Sequence, residues 1–185
     1  MREKSNLPKI DDHCSRYFTY RQFLECSDTF RTCEVENLPI EPRTYHAIEQ
    51  YSAEILDKVY GQYPKLRLTY GFCGRVMAQK IKKNIFPKLD QHAGYELNRN
   101  GNPICDRGGI ACDFIVDGTN SLDLARWVVN NCDYDRIYYY GAARPIHVSH
   151  SSAPTQNVIL MRFEKVRTVP QKISTHAFLN GNIDF

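Results

Sequence analysis

The sequence predicts an α+β domain: an antiparallel sheet with helices packed on one side. Three observations carry that expectation. VENLPIEPRTYHAIEQYSAEILDKVYG has the apolar period of a long helix, and Ile110 to Val116 reads as a strand. Three further strand-like runs, YDRIYYYG, RPIHVSH and NVILMRFEKV, follow a second helix, and their β-branched and aromatic content suits a sheet. A chain of 185 residues, 42% hydrophobic and 24% charged, is long and apolar enough to bury one core.

The elements follow in order. Residues 1–14 are polar and read as a loosely held lead-in, with order expected from Ser15. Thr19 suits the cap of a short helix that turns Phe23 and Leu24 inward, with Tyr17 and Phe18 packing just before it. In the long helix Pro42 fits the first turn and Gly61 the stop. Tyr45, Ile48, Ile55, Leu56 and Val59 form its apolar stripe, with His46 off it. KLRLTYGF alternates like a strand, and Gly71 to Gly74 lead into a basic helix, RVMAQKIKKNIF, whose Lys80, Lys82 and Lys83 read as a solvated face. Residues 87–107 are rich in Gly, Asn and charge, which predicts a loop with a small hairpin at Asn100 and Gly101. In the helix from Ser121 to Asn131, Leu122, Ala125 and Val129 recur on one face, with Trp127 and Val128 beside it. One domain over 15–166 results, with a polar tail over 167–185 whose scattered apolar residues leave docking and mobility both open.

Composition bounds the function. A net charge of +3 and a pI near 8.4 permit an anionic partner, nucleic acid included, without requiring one. No apolar run has the length of a membrane span, and the N-terminus lacks the apolar core of a secretory signal, so a cytoplasmic protein is expected. The seven cysteines are odd in number and form no CxxC pair, which points to reduced thiols.

Chemistry concentrates between Gly108 and His150. Asp113 lies in one strand, and two others end at His147 and His150. A carboxylate and an imidazole on neighbouring strands suit a divalent metal, and three protein ligands leave a position for water. The alternative is a buried Asp beside a core His.

The segment SRYFTYRQFLEC, the turn Asn37-Leu38-Pro39, the pattern Gly109-x-Ala111-x-Asp113 and the strand Ile146-His147-Val148 follow one another in an order that resembles the zinc D-alanyl-D-alanine carboxypeptidases and the related murein endopeptidases of phage lysins, which share their fold with the hedgehog signalling domain. SRYFTYRQFLEC and the turn Asn37, Leu38, Pro39 are similar to the family's opening. Tyr70, Gly71, Phe72 and Cys73 occupy its Ser-Gly-Tyr-Arg turn. Gly109, Ala111 and Asp113 match G-x-A-x-D, and Ile146, His147 and Val148 match its closing hydrophobic-His-hydrophobic strand. The resemblance runs from about Ser15 to about Val166 and implies a peptidase fold, a zinc ion and hydrolysis of a peptide.

Three departures matter. The family's first metal His falls in register on Asp106; an insertion after Asp90, Gln91 and His92 would instead make His92 the ligand. Two imidazoles and one carboxylate suit zinc better than one imidazole and two carboxylates, so His92, Asp113 and His147 are the expected set. The family's catalytic acid is replaced by Arg144 or by the tyrosines 138–140, which leaves His150, Glu96 or Asp106 to supply it. Its substrate-anchoring Arg is Cys73 here, so Arg75 or Arg144, with Tyr140, would grip a terminal carboxylate or phosphate.

Other constellations offer different chemistry. Cys105 and Cys112 with His92 or His147 would form a soft metal site, a Cys-His pair would form a nucleophile, and Tyr138 to Tyr140 would stack bases. Two function classes follow: a zinc-dependent hydrolase of a peptide or other anionic substrate, or a descendant of the fold that has lost peptidase chemistry and binds a nucleic acid, nucleotide or protein.

Overall fold

The computed structural model describes residues 7–33, 35–81, 90–164 and 167–183. It is an α+β fold built on a six-stranded sheet in the order β1-β2-β4-β3-β5-β6. The strands are β1 Leu66–Tyr70, β2 Ile110–Val116, β3 Arg136–Tyr139, β4 Ile146–His150, β5 Asn157–Glu164 and β6 Arg167–Ile173. Every pairing is antiparallel except β3 with β5, which run parallel. The parallel pair departs from the expected all-antiparallel sheet: β4 inserts between β2 and β3, so β5 has to join the far side of β3.

The helices form where local chemistry favours them. Helix α1, Tyr20–Leu24, starts with a reciprocal capping box between Thr19 and Gln22 and buries Phe23 and Leu24. A short α2, Asp28–Cys33, follows. The long helix is α3, Pro42–Tyr51, continuing through a π-helical turn at Ser52–Leu56 into α4, Asp57–Gln62. Its predicted stripe is buried and His46 is exposed. Ile55, Leu56 and Val59 stay on the core side through the π-helical turn. Of the predicted basic helix, α5 covers Arg75–Ala78, and Lys82 and Lys83 lie outside the described residues. Helix α6, Ser121–Asn131, has the predicted bounds, but its buried face centres on Leu124, Ala125 and Val128, leaving Leu122 and Val129 half-buried at its edges.

Strand alternation divides the sheet into two faces. Ile110, Cys112, Phe114, Ile137, Tyr139, Ile146, Val148, Val158 and Leu160 join the helix residues Ile48, Tyr51, Ile55, Leu124, Val128 and Phe178 in one hydrophobic core. At roughly 1.5–3 kcal/mol per buried large side chain, this face is the main source of stability. Asp113, His147 and Tyr138 belong to the opposite face.

The described part of the N-terminal lead-in is more integrated than expected, and the C-terminal segment docks on the sheet. Cys14 is buried against Phe18, and His13 bridges Thr19. The segment read as a tail forms β6 along β5 and then α7, Thr175–Asn180, with Phe178 fully buried against Tyr139. Polar residues dominate β6 because it is an edge strand with little to bury. Among the described residues, no helix is long and apolar enough to cross a membrane.

Candidate metal centre

One row of register partners runs across four strands: Tyr70 on β1 faces Asp113 on β2, Asp113 faces His147 on β4, and His147 faces Tyr138 on β3. All four project from the sheet face away from the helix-packed core. Gly109 sets up this geometry. Its φ is +75°, and a side chain there would collide with the His150 carbonyl, so only glycine lets β2 start against the end of β4.

His92 comes from a different place. Asp90 caps a short 3-10 turn, Gln91–Ala93, by accepting from the His92 amide at 3.1 Å, and the turn packs over β2. Gln91 fixes it to the sheet, donating from Nε2 to the Gly108 carbonyl at 3.0 Å and to Asp135 at 2.9 Å. Asp135 is 2% exposed and also accepts from the amide and hydroxyl of Thr155, each at 2.8 Å.

The three donors converge. His147 Nδ1 is 2.8 Å from Asp113 Oδ1, His92 Nε2 is 3.1 Å from His147 Nδ1, and His92 Nε2 is 3.3 Å from Asp113 Oδ1. Three corners of a tetrahedron with metal bonds of about 2.0–2.1 Å stand about 3.3 Å apart, so these spacings need only slight opening. His92 Nδ1 lies 2.8 Å from the Gly71 carbonyl, which can only accept. Its proton therefore sits on Nδ1 and the Nε2 lone pair faces the centre, as a ligating imidazole held by an outer hydrogen bond requires. Both imidazoles are buried, and the Asp113 side chain is 25% exposed, which leaves one side open.

Electrostatics agree with a cation site. Burial opposes the charged form of His92, but the adjacent Asp113 carboxylate outweighs it and carries that imidazole up to about 9. For His147 burial prevails and its affinity for a proton falls, despite Asp113. Burial alone would raise Asp113; the two imidazoles hold it well below the usual carboxylate range. Without metal His92 therefore carries a second proton, on Nε2 facing Asp113 and His147, which a metal ion would have to displace. The negative charge of Asp90 acts on both imidazoles as well.

This His-Asp-His group could hold a metal ion, and it is the one cluster of that kind found among the described residues. No family model, curated protein or solved structure matches the chain.

The remaining expected site residues separate. His150 lies three positions after His147, so it projects from the other sheet face, into a cavity of about 630 Å³ with His13, Glu49 and Glu54. It cannot serve this centre. Glu96 is also turned away: its carboxylate accepts from the Ile40 and Glu41 amides at 3.1 Å and from the Thr44 hydroxyl at 2.9 Å. Asp106 is exposed in the excursion between the 3-10 turn and β2, and it is not among the converging donors. Arg75 is exposed on α5. Arg144 is exposed with its guanidinium 6.0 Å from the Tyr140 ring, and half-buried Tyr140 feels the Asp113 charge.

Among the described residues no cysteine joins the converging donors. Cys112 points into the core, Cys105 stays outside the cluster, and all seven cysteines are free thiols. The tyrosine run is split by alternation: Tyr139 is in the core, whereas Tyr138 packs on His147 at 4.8 Å between centroids and takes a hydrogen bond from Arg107 Nη1 at 2.8 Å. Tyr70 was expected only as a turn residue, and Arg107 and Asp135 had no expected role; a β-bulge, a loop return and side-chain contacts to Gln91 and Thr155 place them.

Proposed function

We propose that the chain is a zinc-dependent hydrolase acting on an amide, similar in plan to the peptidoglycan D-alanyl-D-alanine carboxypeptidases and endopeptidases. The observation that carries this reading is the convergence of His92 Nε2, Asp113 Oδ1 and His147 Nδ1 at 2.8–3.3 Å. Two imidazoles and a carboxylate are a zinc-type donor set, and three protein ligands with one open side suit a catalytic rather than a structural site. When bound, zinc would supply a Lewis acid and a water of lowered pKa.

The protein's own groups do the rest. The Gly71 carbonyl and the Gln91–Asp135 link hold His92 in its ligating orientation. Asp90 is the carboxylate close to both imidazoles that is not a ligand, and its charge favours a dication at the centre. Tyr138 and Arg107 border His147 and offer polar contacts to an anionic substrate.

The second reading is a metal-binding descendant without peptidase activity, which binds a nucleic acid, nucleotide or protein. It is favoured by the placement of His150 and Glu96 away from the centre, where neither can exchange a proton with substrate. Release of D-alanine from a pentapeptide stem by zinc-loaded protein, abolished by chelation and by Asp113→Asn, is the expected result for a hydrolase. Stoichiometric zinc with no turnover on murein peptides would favour the second reading.

A further inference from the structure

Strand β5 outruns its neighbour. It pairs with β3 only from Asn157 to Leu160, whereas its pairing with β6 continues through Met161 with Pro170, Arg162 with Val169, Phe163 with Thr168 and Glu164 with Arg167. Those pairs stand as a two-stranded ribbon, about 13 Å long at roughly 3.3 Å per residue, with no third strand beside it among the described residues. Tyr138 pairs with Ile159 and Ile159 with Lys172, and alternation returns Phe163 to the same side. Phe163 and Lys172 therefore share the sheet face of the metal centre.

The charge of the chain is concentrated on this hairpin. Residues 157–173 carry Arg162, Lys165, Arg167 and Lys172, four of the 24 cations, against Glu164, one of the 21 acidic side chains, so the rest of the chain is neutral and the whole excess of +3 lies here. Arg167 and Lys172 are exposed, and their side chains make no ion pair or hydrogen bond among the described residues. Phe163 is 72% exposed. Lysine and proline guard an edge strand against pairing with another chain, and Lys172 and Pro170 suit that part. A bare phenylalanine works against such a guard, so edge protection does not account for the ribbon.

We propose that the β5–β6 hairpin is an interaction surface for double-stranded nucleic acid, its ribbon seated in the major groove with Phe163 toward the base edges and Arg167 and Lys172 on phosphates. A two-stranded ribbon is one of the two elements that this groove, about 12 Å wide, admits, and thymine methyls there offer apolar contact to a phenyl ring. Arg167 and Lys172 lie on opposite faces and toward opposite ends of β6, which spreads charge along the ribbon as a row of phosphates requires. The surface is independent of the chemistry at the metal centre.

Anisotropy of a labelled duplex of about 24 base pairs, titrated with the full chain from about 50 to 200 mM salt, tests the assignment. Wild type should bind, with log affinity falling against log salt at a slope of about −2 to −4, because each neutralised phosphate contributes about −0.9. Arg167→Gln with Lys172→Gln should weaken binding at least about tenfold at the lower salt and flatten the slope by about 2. Phe163→Ala should bind several-fold more weakly with its slope unchanged, and it carries the test alone if the double variant does not fold. Lys9→Gln with Lys65→Gln, the same charge change at exposed positions away from the hairpin, should bind as wild type does. An equal loss in that control pair overturns the surface, since net charge alone would then explain binding. So does a wild type that leaves the duplex free, or one that binds a single strand of the same sequence as tightly.

Discussion

Asp113 and His147 are register partners on antiparallel β2 and β4, with Oδ1 and Nδ1 2.8 Å apart on the face that the helices leave uncovered. The sheet itself therefore fixes two of the three donors, and His92 arrives on a tethered turn. Replacement of His92 or His147 by Ala, or Asp113 by Asn, should lower zinc affinity on the order of a hundredfold or more, since outer-shell changes alone cost about 10–100-fold. Asp106→Ala and His150→Ala should retain wild-type affinity within a fewfold. Competition titration with a chromophoric chelator measures all five, and zinc lost from Asp106→Ala but kept by His92→Ala would reverse the choice of ligand.

The opposite shifts of the three groups predict how metal-free protein responds to pH. The folded-state pKa of His92 lies near 9, above its ordinary 6.5, so its stabilising contribution is complete below about 6.5 and is lost as pH rises through 9. Asp113 is depressed below its ordinary 3.8, so its contribution is present above that value and lost as pH falls through the folded pKa. His147 adds to that loss on the acid side: its folded pKa is lowered, so the unfolded state takes the proton more readily and stability falls as pH drops below about 6.5. Metal-free protein should accordingly lose stability between pH 7 and 9. Zinc competes with the His92 proton, so apparent zinc affinity should rise over the same interval, by up to tenfold per unit. Urea midpoints and zinc titrations at pH 6, 7, 8 and 9 check both slopes; a flat zinc affinity would mean that His92 carries no proton to displace.

What the sequence disclosed was local. The bounds of β2 and α6 and the Thr19 cap follow from periodicity and capping residues within a few positions. The three residues whose donors converge, His92, Asp113 and His147, were picked out by motif order and by the donor chemistry of zinc. His150 was separable from His147 in principle, because residues three apart in a strand face opposite ways. The parallel β3–β5 pairing, the bulge that turns Tyr70 onto His92 and the buried Asp135 depend on contacts far apart in sequence, for which no local pattern exists. Strand β6 was unreadable for a different reason: an edge strand with few buried residues has almost no hydrophobic alternation.

Asp135 supplies a third expectation. Its carboxylate would be raised by burial, yet hydrogen bonds from Thr155 and Gln91 hold it below its ordinary range, so it is ionised and fully engaged. Asp135→Ala removes the acceptor shared by the buried Gln91 amide and by Thr155, and loosens the turn that carries His92. A loss of about 3 kcal/mol in stability and of about 10–100-fold in zinc affinity is expected. Urea unfolding of metal-free protein and zinc competition measure the two effects separately. Normal zinc affinity in a destabilised Asp135→Ala would show that the link supports the fold and leaves the His92 position unaffected.

Glu96 was a candidate acid by sequence, and its surroundings assign it another role. Helix α3 begins at Pro42, and its N-cap residue Glu41 makes no side-chain cap bond, so the exposed amide ends at the helix start need an acceptor from elsewhere. Glu96 provides one from the excursion that follows the 3-10 turn, accepting from the Ile40 and Glu41 amides and from Thr44, whose hydroxyl in turn receives the Tyr95 amide. A negative group at a helix N-terminus is also favoured by the dipole. Burial raises its pKa even so, which means that the charge is held at a cost these hydrogen bonds only partly offset. Glu96→Ala should therefore destabilise by about 2–3 kcal/mol, by leaving three donors without their acceptor. Glu96→Gln keeps an acceptor oxygen and sheds the desolvated charge, so it should cost less, with zinc affinity and any hydrolytic rate per zinc-loaded molecule unchanged. Urea unfolding and turnover normalised to bound zinc distinguish the roles: a Glu96→Gln protein of near-normal stability that loses turnover a hundredfold would return Glu96 to the chemistry.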